Sequence, residues 1–124
     1  MAQDQTTKIA AQTGQTQEPS GAFLLSTDSK AYPINKAVVS IGRSIENDIQ
    51  IDDAYVSRAH GQIRCVNNLY VYFDLGSSSG SKVNGETVKQ QILTQGDLIT
   101  VGKTSLIFAI EEELGSGTTP TMIG

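Results

Sequence analysis

The stretch from residue 41 to residue 85 reads IGRSIENDIQIDDAYVSRAHGQIRCVNNLYVYFDLGSSSGSKVNG and alternates short apolar runs with polar segments. Three polar segments combine glycine or small hydroxyl residues with a cation or with the only histidine of the chain: residues 41–44, 56–60 and 74–85. Loops of this composition supply the donors and the fixed charge that a small anion requires. We therefore expect these three loops to meet in space and to bind a phosphate.

The apolar runs of this stretch predict strands. From His60 to Val66 the residues alternate, which places Ile63 and Cys65 on one face of a half-buried strand. A turn at Asn67-Asn68 then predicts a hairpin. On its return strand we expect Leu69, Val71 and Phe73 to continue the apolar face, with Tyr70, Tyr72 and Asp74 on the opposite one.

Similar signals continue on both sides of the stretch. An apolar run at Phe23-Leu24-Leu25 precedes turns that we expect at Asp28-Ser29 and at Pro33. Asn84-Gly85 predicts a two-residue hairpin turn, because both residues tolerate positive φ. Many short strands, turn signals about every ten residues and no long helical period predict an all-β fold, an antiparallel two-sheet β-sandwich over residues 22–111.

The two ends of the chain differ in composition from the region between them. Residues 1–21 are rich in Gln, Thr and Ala, and residues 112–124 are mostly small and polar, so neither buries enough apolar area to offset its ordering entropy. We expect a disordered N-terminal tail and a flexible C-terminal tail. Accessible threonines in them are possible phosphoacceptors: Thr6, Thr7, Thr118 and Thr119.

Composition excludes several classes of function. The 124 residues carry a net charge of −4, whereas a nucleic-acid binder normally has a basic surplus, so we expect no nucleic-acid partner. No apolar run approaches the roughly 20 residues of a membrane span. The single cysteine allows no intrachain disulfide, and the first residues lack the pattern of a secretory signal. These features favour a cytoplasmic location.

Three motifs, taken in register, resemble those of the forkhead-associated (FHA) domain, a β-sandwich that binds phosphothreonine peptides. They are Gly42-Arg43, the Ser-x-x-His motif from Ser57 to His60, and a loop from Asp74 that resembles Asp-x-Gly-Ser-x-Asn-Gly-Thr and is followed by the Asn84-Gly85 turn. The resemblance covers approximately residues 23 to 110. It implies a non-catalytic, phosphothreonine-dependent protein-binding module of signalling, in a Ser/Thr kinase pathway, with a threonine-phosphorylated protein as partner.

The resemblance also implies residue roles. Arg43 matches the principal phosphate ligand, and its planar fork suits a phosphate; standing alone, it would as readily be a surface arginine paired with Glu46 or Asp48. The phosphopeptide-binding set is Arg43, Ser57, Arg58, Ser78 and Ser79. Residues expected to support the site structurally are Gly42, His60, Gly80 and Asn84.

Ser79 departs from the family pattern. Where the family typically has Thr-Asn-Gly-Thr, this chain has Ser78-Ser79-Gly80-Ser81, so a serine replaces the asparagine whose amide fixes the peptide main chain. One lost hydrogen bond costs about 0.5 to 1.5 kcal/mol, so we expect weaker binding rather than none.

Catalytic and metal functions find little support in the residues. Ser57 and His60 would need an orienting carboxylate and an oxyanion hole to form a hydrolase site, and one histidine is too few for a metal site. Residues 76–82 do not form a nucleotide phosphate loop, because the glycine spacing is short and Val83 follows Lys82. We expect no enzyme, no metal and no cofactor.

Two other hypotheses remain open beside phosphopeptide binding. In the first, an intramolecular switch, a phosphorylated tail threonine folds back into the loops of its own chain. In the second, a phosphate-independent scaffold, another face contacts the partner, with Tyr70 and Tyr72 as candidates.

Overall fold

The structure, a computed structural model, describes residues 21–111, and these form two β-sheets packed face to face. The predicted sandwich is therefore confirmed. The predicted tails and their threonines, Thr6, Thr7, Thr118 and Thr119, lie outside the described residues. The strands are β1 (Ala22–Ser26), β2 (Ala31–Ile34), β3 (Val38–Gly42), β4 (Ile49–Gln50), β5 (Gly61–Val66), β6 (Leu69–Asp74), β7 (Ser81–Val83), β8 (Glu86–Val88), β9 (Gln90–Leu93), β10 (Leu98–Val101) and β11 (Thr104–Ile110).

One sheet has six strands in the order β2-β1-β11-β10-β7-β8, and the other has five in the order β4-β3-β5-β6-β9. All described pairs are antiparallel except the short pair of β3 with β4. Side chains that alternate along the strands fill the space between the sheets. The fully buried large ones are Tyr72, Phe108, Leu24, Ile34, Ile41, Ile63, Ile99, Leu106, His60, Val39, Val56 and Val101.

The prediction for the faces of β6 is wrong. Asn67 and Asn68 have φ values of 51° and 69° and form a two-residue turn, so Cys65 pairs with Tyr70 and Ile63 pairs with Tyr72. Directly paired residues share a face, which sends Tyr70 and Tyr72 into the core, 7% and 0% exposed. Leu69, Val71 and Phe73 lie on the outer face instead.

A second correction concerns the start of the chain. Pro33 was expected in a turn but lies inside β2, opposite Phe23 of β1. The strand tolerates proline because β2 is the edge of its sheet, where one row of backbone amides has no neighbouring strand to pair with. Strand β9 was also not predicted.

Four connections converge at one end of the sandwich. Strands β3, β6 and β10 run towards this end, and β5, β7 and β11 begin there, because Ile41 pairs with Gly61, Gly61 with Asp74, and Val101 with Ser81. The first three connections are the first loop (43–48), the second loop (51–60) and the third loop (75–80), and the fourth is the turn at 102–103. Gly21 and Glu111 lie at the opposite end, beside the pair of Ala22 with Ile110.

Within residues 21–111 no helix has the length and apolar character of a membrane span.

Candidate functional site

Backbone hydrogen bonds tie the first loop to the second. The amide of Arg43 donates to the carbonyl of Ser57 at 2.9 Å, and the amide of Ser44 donates to the carbonyl of Arg58 at 3.2 Å. The Asn47 side chain reinforces the junction by donating to the carbonyls of Ser44 and Arg58, at 2.9 and 2.7 Å. Asn47 was not predicted as a site residue, although an amide four positions after Arg43 is a usable signal.

Gly42 is required where these two loops meet. A Cβ atom at this position would lie 2.2 Å from the carbonyl oxygen of Arg58 and 2.7 Å from Nδ2 of Asn47. Both distances are far below van der Waals contact, so only glycine allows the second loop to pack this closely. Its predicted supporting role has a steric basis.

His60 joins the second loop to the third. Its side chain is fully buried, Nδ1 accepts a 3.0 Å hydrogen bond from the amide of Ser57, and Nε2 lies 2.9 Å from the carbonyl oxygen of Gly80. Because Nδ1 accepts, the proton lies on Nε2, which donates to Gly80. Both ring nitrogens therefore hold loop backbone in place, as a structural histidine should.

Asp74, the last residue of β6, holds the third loop in place by hydrogen bonds. Its carboxylate accepts hydrogen bonds from the amides of Gly76 and Ser77, at 2.8 and 2.9 Å, and from the hydroxyls of Ser77 and Ser81, both at 2.6 Å. Burial acts to raise the pKa of Asp74, but these hydrogen bonds outweigh it, so its pKa lies below the ordinary value. The turn is thereby built around a fixed negative charge.

The Tyr72 hydroxyl continues this network into the core, 2.7 Å from the hydroxyl of Ser81. Burial raises the pKa of Tyr72 to about 12, although the Ser81 hydrogen bond acts in the opposite direction. The phenol is therefore neutral at physiological pH and contributes a hydroxyl, not a charge.

The three loops bring several unused donors to one rim of the sandwich. The amide of Ser78 donates to the Ser57 hydroxyl oxygen at 3.0 Å, and Arg43 Nε donates to the carbonyl of Val56 at 3.0 Å. Several of these donors make no hydrogen bond to an acceptor within residues 21–111. They are the terminal guanidinium nitrogens of Arg43, the Arg58 guanidinium, and the hydroxyl groups of Ser57 and Ser78. We call Arg43, Ser57 and Ser78 the donor cradle.

The alternative role for Arg43, a surface ion pair, does not occur within the described part of the chain. Asp48 pairs with Lys36 at 2.7 Å and accepts from the backbone and side chain of Ser40, and Glu46 forms no ion pair there. The charge of Arg43 is thus available to a ligand.

Ser79 and Asn84, both predicted as site residues, do not belong to the donor cradle. The hydroxyl of Ser79 donates to the carbonyl of Tyr55 at 2.8 Å, so its proton is used within the protein. Asn84, with φ 53°, lies at the far end of β7, where its side chain donates to Asp97 and accepts from the amide of Leu98, both at 3.0 Å. Asn84 therefore fixes a hairpin against β10 and does not reach the loops.

Residues 21–111 contain no group of three or more His, Cys, Asp or Glu side chains that could hold a metal ion. The arrangement instead offers a guanidinium and hydroxyls on an exposed rim of loops. Such donors suit an oxyanion of high charge.

Comparison with known proteins adds a decisive match. The sequence profile of the FHA domain fits residues 39–102, more than half of the chain. The chain belongs to the FHA domain family. The family resemblance read from its loops is confirmed, and the domain is of a kind that binds other proteins rather than catalyses a reaction.

Relatives and solved structures agree with this assignment. The glycogen accumulation regulator GarA of Mycobacterium tuberculosis is 39% identical over 77 residues, which cover 62% of this chain and 48% of GarA. The oxoglutarate dehydrogenase inhibitor of Corynebacterium efficiens is 34% identical over 103 residues, covering 79% of this chain and 72% of the inhibitor. A solved structure concerned with phosphothreonine-dependent FHA domain interactions superposes with a TM-score of 0.72 at 27% identity, over 75% of this chain and 99% of its own. The chain spans about half the length of GarA.

Proposed function

We propose that this FHA domain binds a threonine-phosphorylated segment of a partner protein, with the phosphate held in the donor cradle of Arg43, Ser57 and Ser78. The observation that carries the proposal is that three loops, tied together by hydrogen bonds, hold these donors at one rim, where no residue from 21 to 111 accepts from the terminal nitrogens of Arg43 or from the hydroxyls of Ser57 and Ser78. A solved relative with phosphothreonine-dependent interactions supports the choice of ligand.

The chemistry of each donor suits a phosphate dianion. Nε of Arg43 donates to the carbonyl of Val56, so the side chain is oriented before a ligand arrives, and within the described part of the chain both terminal nitrogens have no acceptor. Ser57 accepts from the amide of Ser78 and keeps its own proton for the ligand. Hydrogen bonds to a charged group contribute about 1.5–3 kcal/mol each, so two or three suffice to make binding depend on the phosphate.

The residues beside the cradle have secondary roles in this proposal. Arg58 is exposed and offers its guanidinium to the phosphate or to the peptide backbone. Ser79 has committed its proton to the carbonyl of Tyr55, so towards a peptide its hydroxyl can only accept. This replaces the amide that other family members use and favours modest affinity.

Calorimetry with one peptide in two forms tests the proposal. The phosphothreonine form should bind, and the unphosphorylated form should not. Arg43→Ala should remove most of the difference, whereas Arg64→Ala, which removes an equal charge from the ring of Phe73 on the outer face of the five-stranded sheet, should retain it. Equal affinity for both forms of the peptide would refute the proposed function.

The biological use that we propose is regulatory. Two relatives are a regulator of glycogen accumulation and an inhibitor of oxoglutarate dehydrogenase, which supports a partner in metabolism that is bound after a Ser/Thr kinase acts. Such a pathway would place the domain in the cytoplasm. Protein pull-down with and without phosphatase treatment, followed by identification of the retained protein, tests the partner.

A switch in which the chain binds its own phosphorylated threonine is a second candidate, and chain length decides which threonine fits. Strand β11 has seven residues and separates Glu111 from the loops by about 23 Å. Thr118 lies seven positions beyond Glu111, a reach of at most about 25 Å, whereas Thr7 lies fourteen positions before Gly21, a reach of about 50 Å. A path around the domain therefore favours Thr6 or Thr7 over Thr118 or Thr119.

Phosphorylating the full chain and recording amide NMR shifts tests the switch. Shifts at Ser57 and Ser78 should appear at low protein concentration, persist in Thr118→Ala/Thr119→Ala, and vanish in Thr6→Ala/Thr7→Ala. Unchanged loop shifts after phosphorylation of Thr6 and Thr7 would exclude it. The scaffold hypothesis loses its suggested surface, because Tyr70 and Tyr72 lie in the core.

A further inference from the structure

The outer side of the six-stranded sheet carries an uncharged, apolar surface. Leu24 of β1 pairs with Phe108 of β11 and both are fully buried, so the next pair along the strands, Leu25 with Ile107, points away from the core. Ile107 is 41% exposed. The same alternation turns seven apolar side chains of four neighbouring strands to this side: Phe23, Leu25, Ala31, Pro33, Leu98, Ile107 and Ala109. We call these seven side chains the β1–β11 face.

The strand register arranges the β1–β11 face in two adjacent rows, one across four strands and one across three. The rows are Ala31, Leu25, Ile107 and Leu98, and Pro33, Phe23 and Ala109. The next row towards the donor cradle is polar and consists of Ser105, Thr100, Lys82 and Thr87. An apolar centre beside a polar rim is the usual composition of a surface that binds another protein.

The shape of the β1–β11 face makes it complementary to a copy of itself. A groove of about 540 Å³ opens at Phe23, Ala31 and Pro33 and ends at Glu111. Ile107 projects from the same face beside it. In a two-fold symmetric pair each copy offers both features to the other, and apolar side chains meet apolar side chains. A strongly charged partner would find no opposite charge at the centre of this face.

The outer face of the five-stranded sheet is less suited to burial. Val38, which is 43% exposed, pairs there with Arg64, whose guanidinium lies 4.4 Å from the centroid of the Phe73 ring. Covering this face would take the Arg64 charge out of water, and no carboxylate from residue 21 to residue 111 pairs with it.

Pairing at the edge of the six-stranded sheet is also disfavoured. The edge strand β2 has only four residues, and one of them, Pro33, has no amide hydrogen to donate to an added strand. Two copies would therefore meet through the side chains of the face rather than through backbone hydrogen bonds.

The size of the surface predicts a weak and reversible association. Strands lie about 4.8 Å apart and rise about 3.3 Å per residue, so a sheet six strands wide and about five residues long covers about 500 Å². Two copies would together bury about 1,000 Å², which is typical of transient complexes.

We propose that two copies of this chain associate through their β1–β11 faces into a weak dimer that presents two donor cradles. The cradle lies on the loops at the end of the sandwich, and Arg43 and Ser57 follow or precede strands of the other sheet, so the dimer leaves both cradles open. A partner with two phosphothreonines would then be held at both. The dimer stands by itself, and its use as a bivalent reader rests on the proposed function.

Sedimentation equilibrium of the full chain tests the dimer without any peptide. Between about 5 and 500 µM the apparent mass should rise from that of one chain towards that of two, as for a complex with a dissociation constant of about 100 µM. Salt raised from about 0.05 to 0.5 M should preserve or strengthen the association, because it screens the repulsion between two chains of net charge −4. A mass of one chain at every concentration, or an association that salt abolishes, would overturn the inference.

Variants assign the association to the β1–β11 face. Ile107→Glu and Ala31→Glu each place a carboxylate in the longer row and should stay monomeric at about 500 µM, with thermal unfolding as the check on folding. Ala31 is an exposed residue of the edge strand, so its variant disturbs the core least. Ile92→Glu is the matched control, because Ile92 is 49% exposed on the outer face of the five-stranded sheet, and it should associate as wild type does. Wild-type association in both face variants would overturn the assignment.

Peptides with one and with two phosphothreonines separate the dimer from the proposed function. Joined by a flexible linker of about 20 to 40 residues, two phosphothreonines should bind wild type about 10-fold more tightly than one. Ile107→Glu should bind the single phosphothreonine as wild type does and lose most of this gain. No gain in wild type would overturn the bivalent reading. Failure of the single phosphothreonine to bind would refute the proposed function and leave the dimer, measured without peptide, unaffected.

Discussion

The backbone amide of Ser78 donates a 3.0 Å hydrogen bond to the hydroxyl oxygen of Ser57, across 21 positions of sequence. Because the amide occupies one lone pair of that oxygen, the Ser57 proton turns towards other acceptors, and the described residues supply none. The bond also fixes the backbone of Ser78 beside Ser57. In the proposed function, this one contact between two loops places both serines beside the same phosphate.

Ser57→Ala is expected to weaken binding of a phosphothreonine peptide about tenfold or more. The change removes a donor to the phosphate and leaves the amide of Ser78 without its acceptor, and a hydrogen bond to a charged group contributes about 1.5–3 kcal/mol. Titration calorimetry measures the loss, and thermal unfolding checks that the domain remains folded. An affinity within twofold of wild type would show that Ser57 does not contact the phosphate.

Gly42→Ala is expected to lower both stability and peptide affinity. The added methyl would lie 2.2 Å from the carbonyl of Arg58, so the second loop must move, at about 1–3 kcal/mol of unfolding free energy measured in urea. Gly96→Ala is the control: it adds a methyl to open space in a distant turn, with strain only from its φ of 89°. It should lower stability and preserve affinity, and an equal affinity loss in both would contradict the steric account.

Much of the fold was predictable because its signals are local. Alternation predicted β5, and Asn84-Gly85 predicted a hairpin whose φ values of 53° and 87° match the expected turn. The loops of the cradle were predictable for the same reason, since a glycine beside an arginine and a serine near a histidine are short-range patterns. Their meeting at one rim follows from strand direction.

Other features depend on register and on distant contacts. One alternating set of β6 is wholly apolar and the other contains two tyrosines, so composition favoured the wrong face. The two-residue turn at Asn67-Asn68 sets the register that sends Tyr70 and Tyr72 into the core. The contact of Tyr55 with Lys103 joins positions 48 apart that no motif connects. Ser79 shows the same limit, because its partner, the carbonyl of Tyr55, is a backbone atom.

Tyr72→Phe is expected to remove one late tyrosine ionisation of the protein. Burial raises the pKa of Tyr72 to about 12, so its neutral form contributes stability below the unfolded pKa of about 10, and this contribution is lost as pH rises towards 12. The ultraviolet absorbance of tyrosinate should show a step near pH 12 in wild type, and the amplitude of that step should fall by one tyrosine in the variant. A step near pH 12 with the same amplitude in Tyr72→Phe would show that Tyr72 does not contribute to it.

Asp74→Asn is expected to destabilise the domain by about 2 kcal/mol or more at pH 7 and to reduce the dependence of its stability on acid. The side chain is 3% exposed and accepts four hydrogen bonds, and an amide turns a donor towards the hydroxyls of Ser77 and Ser81. Binding should weaken as well, because the third loop carries Ser78.

The sign of the pH effect follows from the lowered pKa of Asp74 in the folded state, where hydrogen bonds from Ser77 and Ser81 outweigh the opposing effect of burial. A carboxyl of this kind stabilises fully above the unfolded value of about 3.9, and its contribution is lost as pH falls through the folded pKa. Urea unfolding at pH 7, 5, 4 and 3 should therefore show that the difference in unfolding free energy between wild type and Asp74→Asn narrows below about pH 4. Asp48 and Asp53 also have lowered pKa values but are present in both proteins, so the difference isolates Asp74. Asp52→Asn, at an exposed carboxyl, should match wild type at pH 7. A gap that stays constant down to pH 3 would mean that the Asp74 charge does not stabilise the third loop.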